Sequence, residues 1–193
     1  MGGRVNHFVL FPANVPIRRY YAYVCLIWLV CAALAIMLWP VDALEIRVVG
    51  PSGNGAEPFF REAAPLGFFY RTRIIHSVQL TPVEDEYLVQ EGRIWAWRER
   101  IMSHNAGLPS LPPERGRFLF EPPWMILEGT GESWKSILYR VGTAELGKNE
   151  LFTPTTGWRN LWGQFGGQRL EFGVTPMSAW RAFYMETIPP FMP

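Results

Sequence analysis

The densest concentration of reactive side chains lies between Arg71 and Tyr87, in the run RTRIIHSVQLTPVEDEY. It offers Arg71, Arg73, His76, Ser77, Thr81, Glu84, Asp85 and Glu86, with Pro82 interrupting it. A second polar patch follows at Ser103-His104-Asn105-Ala106-Gly107-Leu108-Pro109. A hydrolase would use Ser77 as nucleophile and His76 or His104 as its base, with Glu84 in support. That chemistry needs the base within hydrogen-bond reach, a third group to orient it, and an oxyanion hole. Neighbours on a strand point to opposite faces, which places His76 badly for activating Ser77, and the chain has no G-x-S-x-G elbow. A metal centre would join His76 and His104 to one or two of Glu84, Asp85 and Glu86, donors that suit zinc, iron or manganese. Their spacing matches no established ligand motif, and the third histidine, His7, precedes the apolar segment described next. A third option is a small organic anion held by Arg71 and Arg73. The plainest reading is structural: Glu84 or Glu86 faces Arg71 or Arg73 across a hairpin, where opposite charges support the pairing. Thr81-Pro82 then serves as a turn former. Neither a cofactor nor a bound metal is expected.

These residues are positioned by whatever precedes and surrounds them. Twenty uncharged residues run from Tyr20 to Trp39, YYAYVCLIWLVCAALAIMLW, directly after Arg18 and Arg19. A bilayer core is crossed by about 20 apolar residues at helical rise, and within lipid such a segment must be helical. Tyr20, Tyr21, Tyr23 and Trp39 stand near its ends, where amphipathic rings favour the interface. Before Val41 the chain carries Arg4, Arg18 and Arg19 and no acid; the whole-chain +1 less this +3 leaves −2 for the remainder. Basic flanks stay cytoplasmic. A single-pass inner-membrane protein is expected, contacting the bilayer through Tyr20–Trp39, with residues 1–19 cytoplasmic and the C-terminal domain periplasmic. A cleaved signal peptide is the rival reading, but the apolar run is about twice a typical signal core. Ala33-Leu34-Ala35 is followed by more apolar residues, and Val41-Asp42-Ala43 is a weaker cleavage site. Both cysteines, Cys25 and Cys31, fall inside the run, so the remainder can form no disulfide and no thiolate metal site.

After residue 41 the texture is that of an all-β protein, a sandwich or open barrel preceded by the one transmembrane helix. Leu44 to Val49 alternates apolar and polar residues. Gly50 to Gly67 is rich in glycine and proline and is expected to be a loop. Phe68 to Leu80 predicts a strand that bends or ends before Pro82. Tyr87-Leu88-Val89 forms the core of the next strand, Glu91-Gly92 a tight hairpin turn, and Arg93 to Met102 its return, with Trp95 and Trp97 on one face. Shorter strands are expected at Phe118–Phe120, Trp124–Leu127 and Trp134–Val141, and a final one at Arg169–Val174. Ala179 onward predicts a helical turn ahead of Pro189-Pro190. The extracytoplasmic domain is placed at residues 40–175 and a tail at 176–193. The nine tryptophans raise a sugar-stacking or partner-binding surface, although aromatics at alternating strand positions are usually core. No nucleic-acid partner is expected.

Taken together, the two polar clusters resemble a known signature. His76-Ser77-Val78, then Thr81-Pro82-Val83-Glu84-Asp85-Glu86-Tyr87, then Ser103 to Pro109 are similar to the domain of unknown function 1850 family. That pattern runs as an aromatic and basic strand, HSV, TPV with a glutamate and an aromatic, a hairpin, then serine and a GAGLP-like turn. The resemblance covers Phe69 to Pro109 well and departs at Asn105, where the family more often has glycine. Asn tolerates left-handed φ better than most residues, which preserves the turn. The resemblance implies a small exported bacterial protein commonly encoded beside tripartite ATP-independent periplasmic (TRAP) transporters that use a TAXI solute receptor. No enzymatic activity is established for the family. The implied role is an accessory or regulatory partner of a TRAP permease or its TAXI receptor. The motif residues it marks for binding are Arg71, Arg73, His76, Ser77, Thr81, Pro82, Glu84, Glu86, Ser103, Gly107, Leu108 and Pro109.

Overall fold

The computed structural model describes residues 17–50, 57–103, 116–129 and 131–184. Two units make up the chain, residues 1–39 and residues 40–193. The described part of the first is one helix, α1, Ile17–Leu38. Arg19–Leu38 is long and apolar enough to cross a membrane, a property shared by anchors and signal sequences. Its side chains are exposed all round, Trp28 at 72% and Ile36 at 70% among them. A helix apolar on every side has no polar face for water and belongs in lipid or a protein interior. Cys25 and Cys31 are free and exposed on it.

The second unit is an all-β sandwich, open at its edges. Its strands begin with β1 (Pro40–Val49), β2 (Phe60–Ala64), β3 (Phe69–Ile75), β4 (Pro82–Gln90) and β5 (Arg93–Ile101). They continue with β6 (Arg117–Glu121), β7 (Trp124–Glu128), β8 (Ser133–Trp134), β9 (Ser136–Arg140) and β10 (Gly147–Thr153). Then come β11 (Gly157–Asn160), the short α2 (Trp162–Phe165), β12 (Arg169–Ser178) and α3 (Ala179–Tyr184). The smaller sheet has the order β2-β1-β12-β9, and the larger β11-β10-β3-β4-β5-β7-β6, with β8 pairing a stretch of β5. All ladders are antiparallel.

Alternation decides what each strand buries. Leu44 and Ile46 of β1 and Leu170 and Phe172 of β12 meet Tyr70, Val89, Ile94 and Leu151 from the larger sheet. Each fully buried side chain of this kind contributes about 1.5–3 kcal/mol. Tyr70 stacks on Tyr87 at 5.0 Å and on Phe172 at 5.5 Å, tying the two sheets together. A second apolar cluster, Val83, Ile101, Met125 and Leu127 with Ile74 against it, lies farther along the larger sheet.

The hairpin at Glu91-Gly92 forms as expected: both residues have positive φ, 55° and 67°, and Gln90 pairs with Arg93. Such a two-residue turn matches strand twist because both centres are left-handed. The expected loop Gly50–Gly67 instead contains β2, whose alternate residues Phe60, Glu62 and Ala64 are buried against β1. A short edge strand among glycines and prolines carries too little periodicity to register in the sequence. Regular alternation of Trp95 and Trp97 also fails. Glu86 pairs with Arg98 while Tyr87 pairs with Ala96, so Trp97 is the extra residue of a β-bulge. The helical turn expected after Ala179 is α3, Ala179–Tyr184.

Candidate functional site

Because Tyr70 and Thr72 of β3 face the core, Arg71 and Arg73 must face outward. The register then lays Arg71 beside Glu86 and Arg73 beside Glu84, and Glu86 beside Arg98 and Glu84 beside Arg100. Arg71 Nε donates to Glu86 Oε2 at 2.6 Å, and Arg73 Nη2 donates to Glu84 Oε1 at 2.6 Å. Arg100 Nη1 also donates to Glu86, at 3.2 Å, and Arg73 Nη1 to Glu150 on β10, at 3.1 Å. Arg98 and Arg117 share Glu128 on β7, at 2.6 and 2.5 Å. The result is an ion-pair ladder spanning β10, β3, β4, β5, β7 and β6. Glu84, Glu86 and Glu128 are buried beneath these side chains. Aromatic faces flank them: the Arg73 guanidinium lies 3.8 Å from the Trp158 ring centre, and Arg71 lies over Phe69 and Phe152. Hydrogen bonds from Arg117 and then Arg98 hold the Glu128 carboxyl below its usual range. Desolvation works in the opposite direction and does not offset these hydrogen bonds.

The opposite face of the same strands carries a second charged feature. Thr72, Asp85 and Glu99 are lateral neighbours on β3, β4 and β5. They form a polar row between the two apolar clusters. Burial pushes the Asp85 carboxyl up to about 7, and the Glu99 charge beside it adds to the effect. Burial also raises Glu99. Tyr70 and Tyr87 are raised well above the phenol range, mainly by burial, and Tyr139 to about 12 for the same cause. The Thr72 hydroxyl lies close enough to favour ionisation of Tyr87 and Tyr139 slightly. Its Oγ1 is nonetheless buried without a hydrogen bond of acceptable geometry.

His76 and Ser77 stand at the end of β3, in the turn that returns the chain to β4. His76 N donates to Thr81 O at 2.9 Å and Leu80 N to His76 O at 2.9 Å, closing the loop around Leu80, whose φ is 54°. The imidazole caps the same turn: Nδ1 accepts from the Val78 and Gln79 amides at 3.3 and 3.2 Å. In the neutral ring this fixes the proton on Nε2. Thr81 precedes the strand and has a buried hydroxyl without a partner, while Pro82 opens β4 opposite Ile75, where a missing N–H is tolerated. Ser103 closes the described stretch after β5; His104, Gly107, Leu108 and Pro109 lie outside the described residues. The structure therefore joins Arg71, Arg73, Glu84 and Glu86 in one network and sets His76 and Ser77 apart, in the turn. Among the described residues no group of three His, Cys, Asp or Glu side chains could hold a metal ion.

Sequence reasoning overlooked Arg98, Arg100 and Glu128 as members of the network, and Glu99 as the neighbour of Asp85. The signal was there: Arg71-x-Arg73, Glu84-x-Glu86 and Arg98-x-Arg100 repeat the same period-two spacing on three successive strands.

Fold and site thus define an antiparallel β-sandwich with a charged outer ladder, preceded in the sequence by a membrane-compatible apolar helix. Residues 72–156 match the family model described as Domain of unknown function (DUF1850). The match takes in the ladder residues from Arg73 to Glu150, and the turn holding His76 and Ser77; Arg71 lies just before it. No curated protein and no solved structure matches the chain.

Proposed function

We propose that this protein is a membrane-tethered, extracytoplasmic accessory module of a TRAP-type transport system. The observation that carries the reading is α1, whose span from Arg19 to Leu38 is exposed and apolar, with Arg18 and Arg19 in its first turn and the sandwich sequence directly after it. Retained in an inner membrane with its basic flank in the cytoplasm, it would leave residues 40–193 in the periplasm. One helix cannot form a translocation path, so a role in uptake requires a partner. Ala32, Ala33 and Ala35 are small enough to let another helix approach α1 closely. Support for the TRAP permease, or its TAXI receptor, as that partner comes from the DUF1850 domain and the surroundings in which the family is commonly encoded. The ladder acts as scaffold in this scheme, since its arginines and glutamates are spent on one another. Full-length protein solubilised in neutral detergent at native abundance should co-purify with the permease or the receptor. Recovery of neither would reject the transporter assignment while leaving the tether standing.

A further inference from the structure

The turn after β3 and the chain between β9 and β10 enclose an open cleft of about 570 Å³. Its lining includes His76, Ser77, Leu138, Arg140 and Leu146, and not one acidic side chain among the described residues. Arg140 faces outward on β9, because its neighbour Tyr139 pairs with buried Leu170. Directly across the ladder from Arg140 stands Arg169 of β12. Like charges placed opposite each other on paired strands destabilise a sheet. Among the described residues neither guanidinium has an acidic partner, and the nearby Glu171 is opposite Leu138 and associates with Arg47 at 4.0 Å. A cation pair with no counter-charge is a place where an anion relieves a cost already present.

Two further donors border the same cleft. The backbone amides on His76 Nδ1 leave Nε2 as the N–H donor of the neutral ring. Ser77 is exposed, with a hydroxyl that no hydrogen bond within the described residues occupies. Beside these polar groups, Leu138 and Leu146 are 63% and 58% exposed. Leu138 shares the outward face of β9 with Arg140, two residues away. Asn149 braces the wall by accepting from Gly142 N at 2.5 Å and donating to the Tyr139 hydroxyl at 2.7 Å. Gly142 admits no side chain there: a Cβ would collide with the Leu146 carbonyl and Asn149 Oδ1.

We infer that this cleft binds a small monocarboxylate with an apolar body, its carboxylate on Arg140, His76 and Ser77 and its chain on Leu138 and Leu146. A guanidinium offers the planar donor fork that a carboxylate matches. The two exposed leucines explain why the ligand should be more than a bare inorganic ion. The proposal is independent of the transporter assignment.

The test is titration calorimetry on the full chain in zwitterionic lipid nanodiscs, with empty nanodiscs as the blank. Octanoate is the probe, and octanol and inorganic phosphate are the comparators. Octanoate should bind saturably, and Arg140→Ala should weaken it by about 10- to 100-fold, the worth of a charged hydrogen bond. Leu138→Ser should weaken octanoate and leave acetate unchanged. Arg140 is exposed, so its removal should not unfold the sheet; Arg140→Gln, which keeps the stem and loses the charge, should show the same loss. Equal binding of octanol would reduce the cleft to an apolar surface. Equal binding of phosphate would reduce it to a cation patch. Undiminished binding by both Arg140 variants, or no saturable octanoate binding, would overturn the proposal.

Discussion

Asp85 occupies a site that favours its neutral form, and this has a consequence for stability. Its carboxyl is raised from 3.8 to about 7, first by burial and then by the Glu99 charge across the ladder. Between those values the folded chain holds a proton that the unfolded chain has released, so stability falls as pH rises from about 4 to about 7. Below the window both states are protonated; above it both are ionised and the full penalty is present. The ceiling for a shift of this size is about 4 kcal/mol, lowered by the partial exposure of Asp85. Asp85→Asn should therefore stabilise the sandwich at pH 7.5 and flatten the dependence, as measured by denaturant unfolding from pH 4 to 8. An unchanged pH slope in the variant would assign the dependence elsewhere. The residue was visible in the sequence as part of an acidic run, but its environment was not. Nothing in VEDEY separates Asp85 from its two neighbours except strand alternation, which turns Glu84 and Glu86 outward to arginines and Asp85 inward.

At the scale of elements, the three central strands carry arginine, glutamate and arginine at period two, and pairing them in register assembles the ladder. Burial makes its parts unequal. Glu86 has a side chain only 7% exposed and serves Arg71 and Arg100, with Arg98 at 3.8 Å, whereas Glu150 is 33% exposed and, among the described residues, pairs with Arg73 alone. Glu86→Gln should cost about 2–3 kcal/mol, below the 3–5 of a fully buried pair because its arginines reach solvent. Glu150→Gln should cost less than about 1 kcal/mol. Chemical denaturation of both variants at pH 7.5 checks the contrast, and equal losses would contradict it. Cross-hairpin pairing of Arg71 and Arg73 with Glu84 and Glu86 was legible in the sequence because one hairpin fixes both strands. Glu128 was not, since it sits beside Arg98 through a pairing of non-consecutive strands, β5 with β7, that no local pattern specifies. For the same reason Trp97, displaced by the bulge at Glu86–Tyr87, escaped the simple alternation.

Across the whole molecule, the fold class followed from strand periodicity and glycine and proline breaks. Grouping the strands into two sheets did not, because β1 and β12 pair from opposite ends of the domain. The helix was the clearest signal of all, since composition alone identifies it. The central claim is the proposed topology, in which α1 would remain in the bilayer and the sandwich would lie beyond the cytoplasm. Limited proteolysis of sealed, right-side-out membrane vesicles containing the full-length chain tests this most directly, with an antibody against the sandwich and a tag at the N-terminus. The account predicts that added protease digests the sandwich while the vesicles are intact and leaves a tagged, membrane-bound N-terminal fragment. A sandwich protected until the vesicles are lysed would contradict it, as would a chain that has lost its N-terminal tag and left the membrane before protease is added.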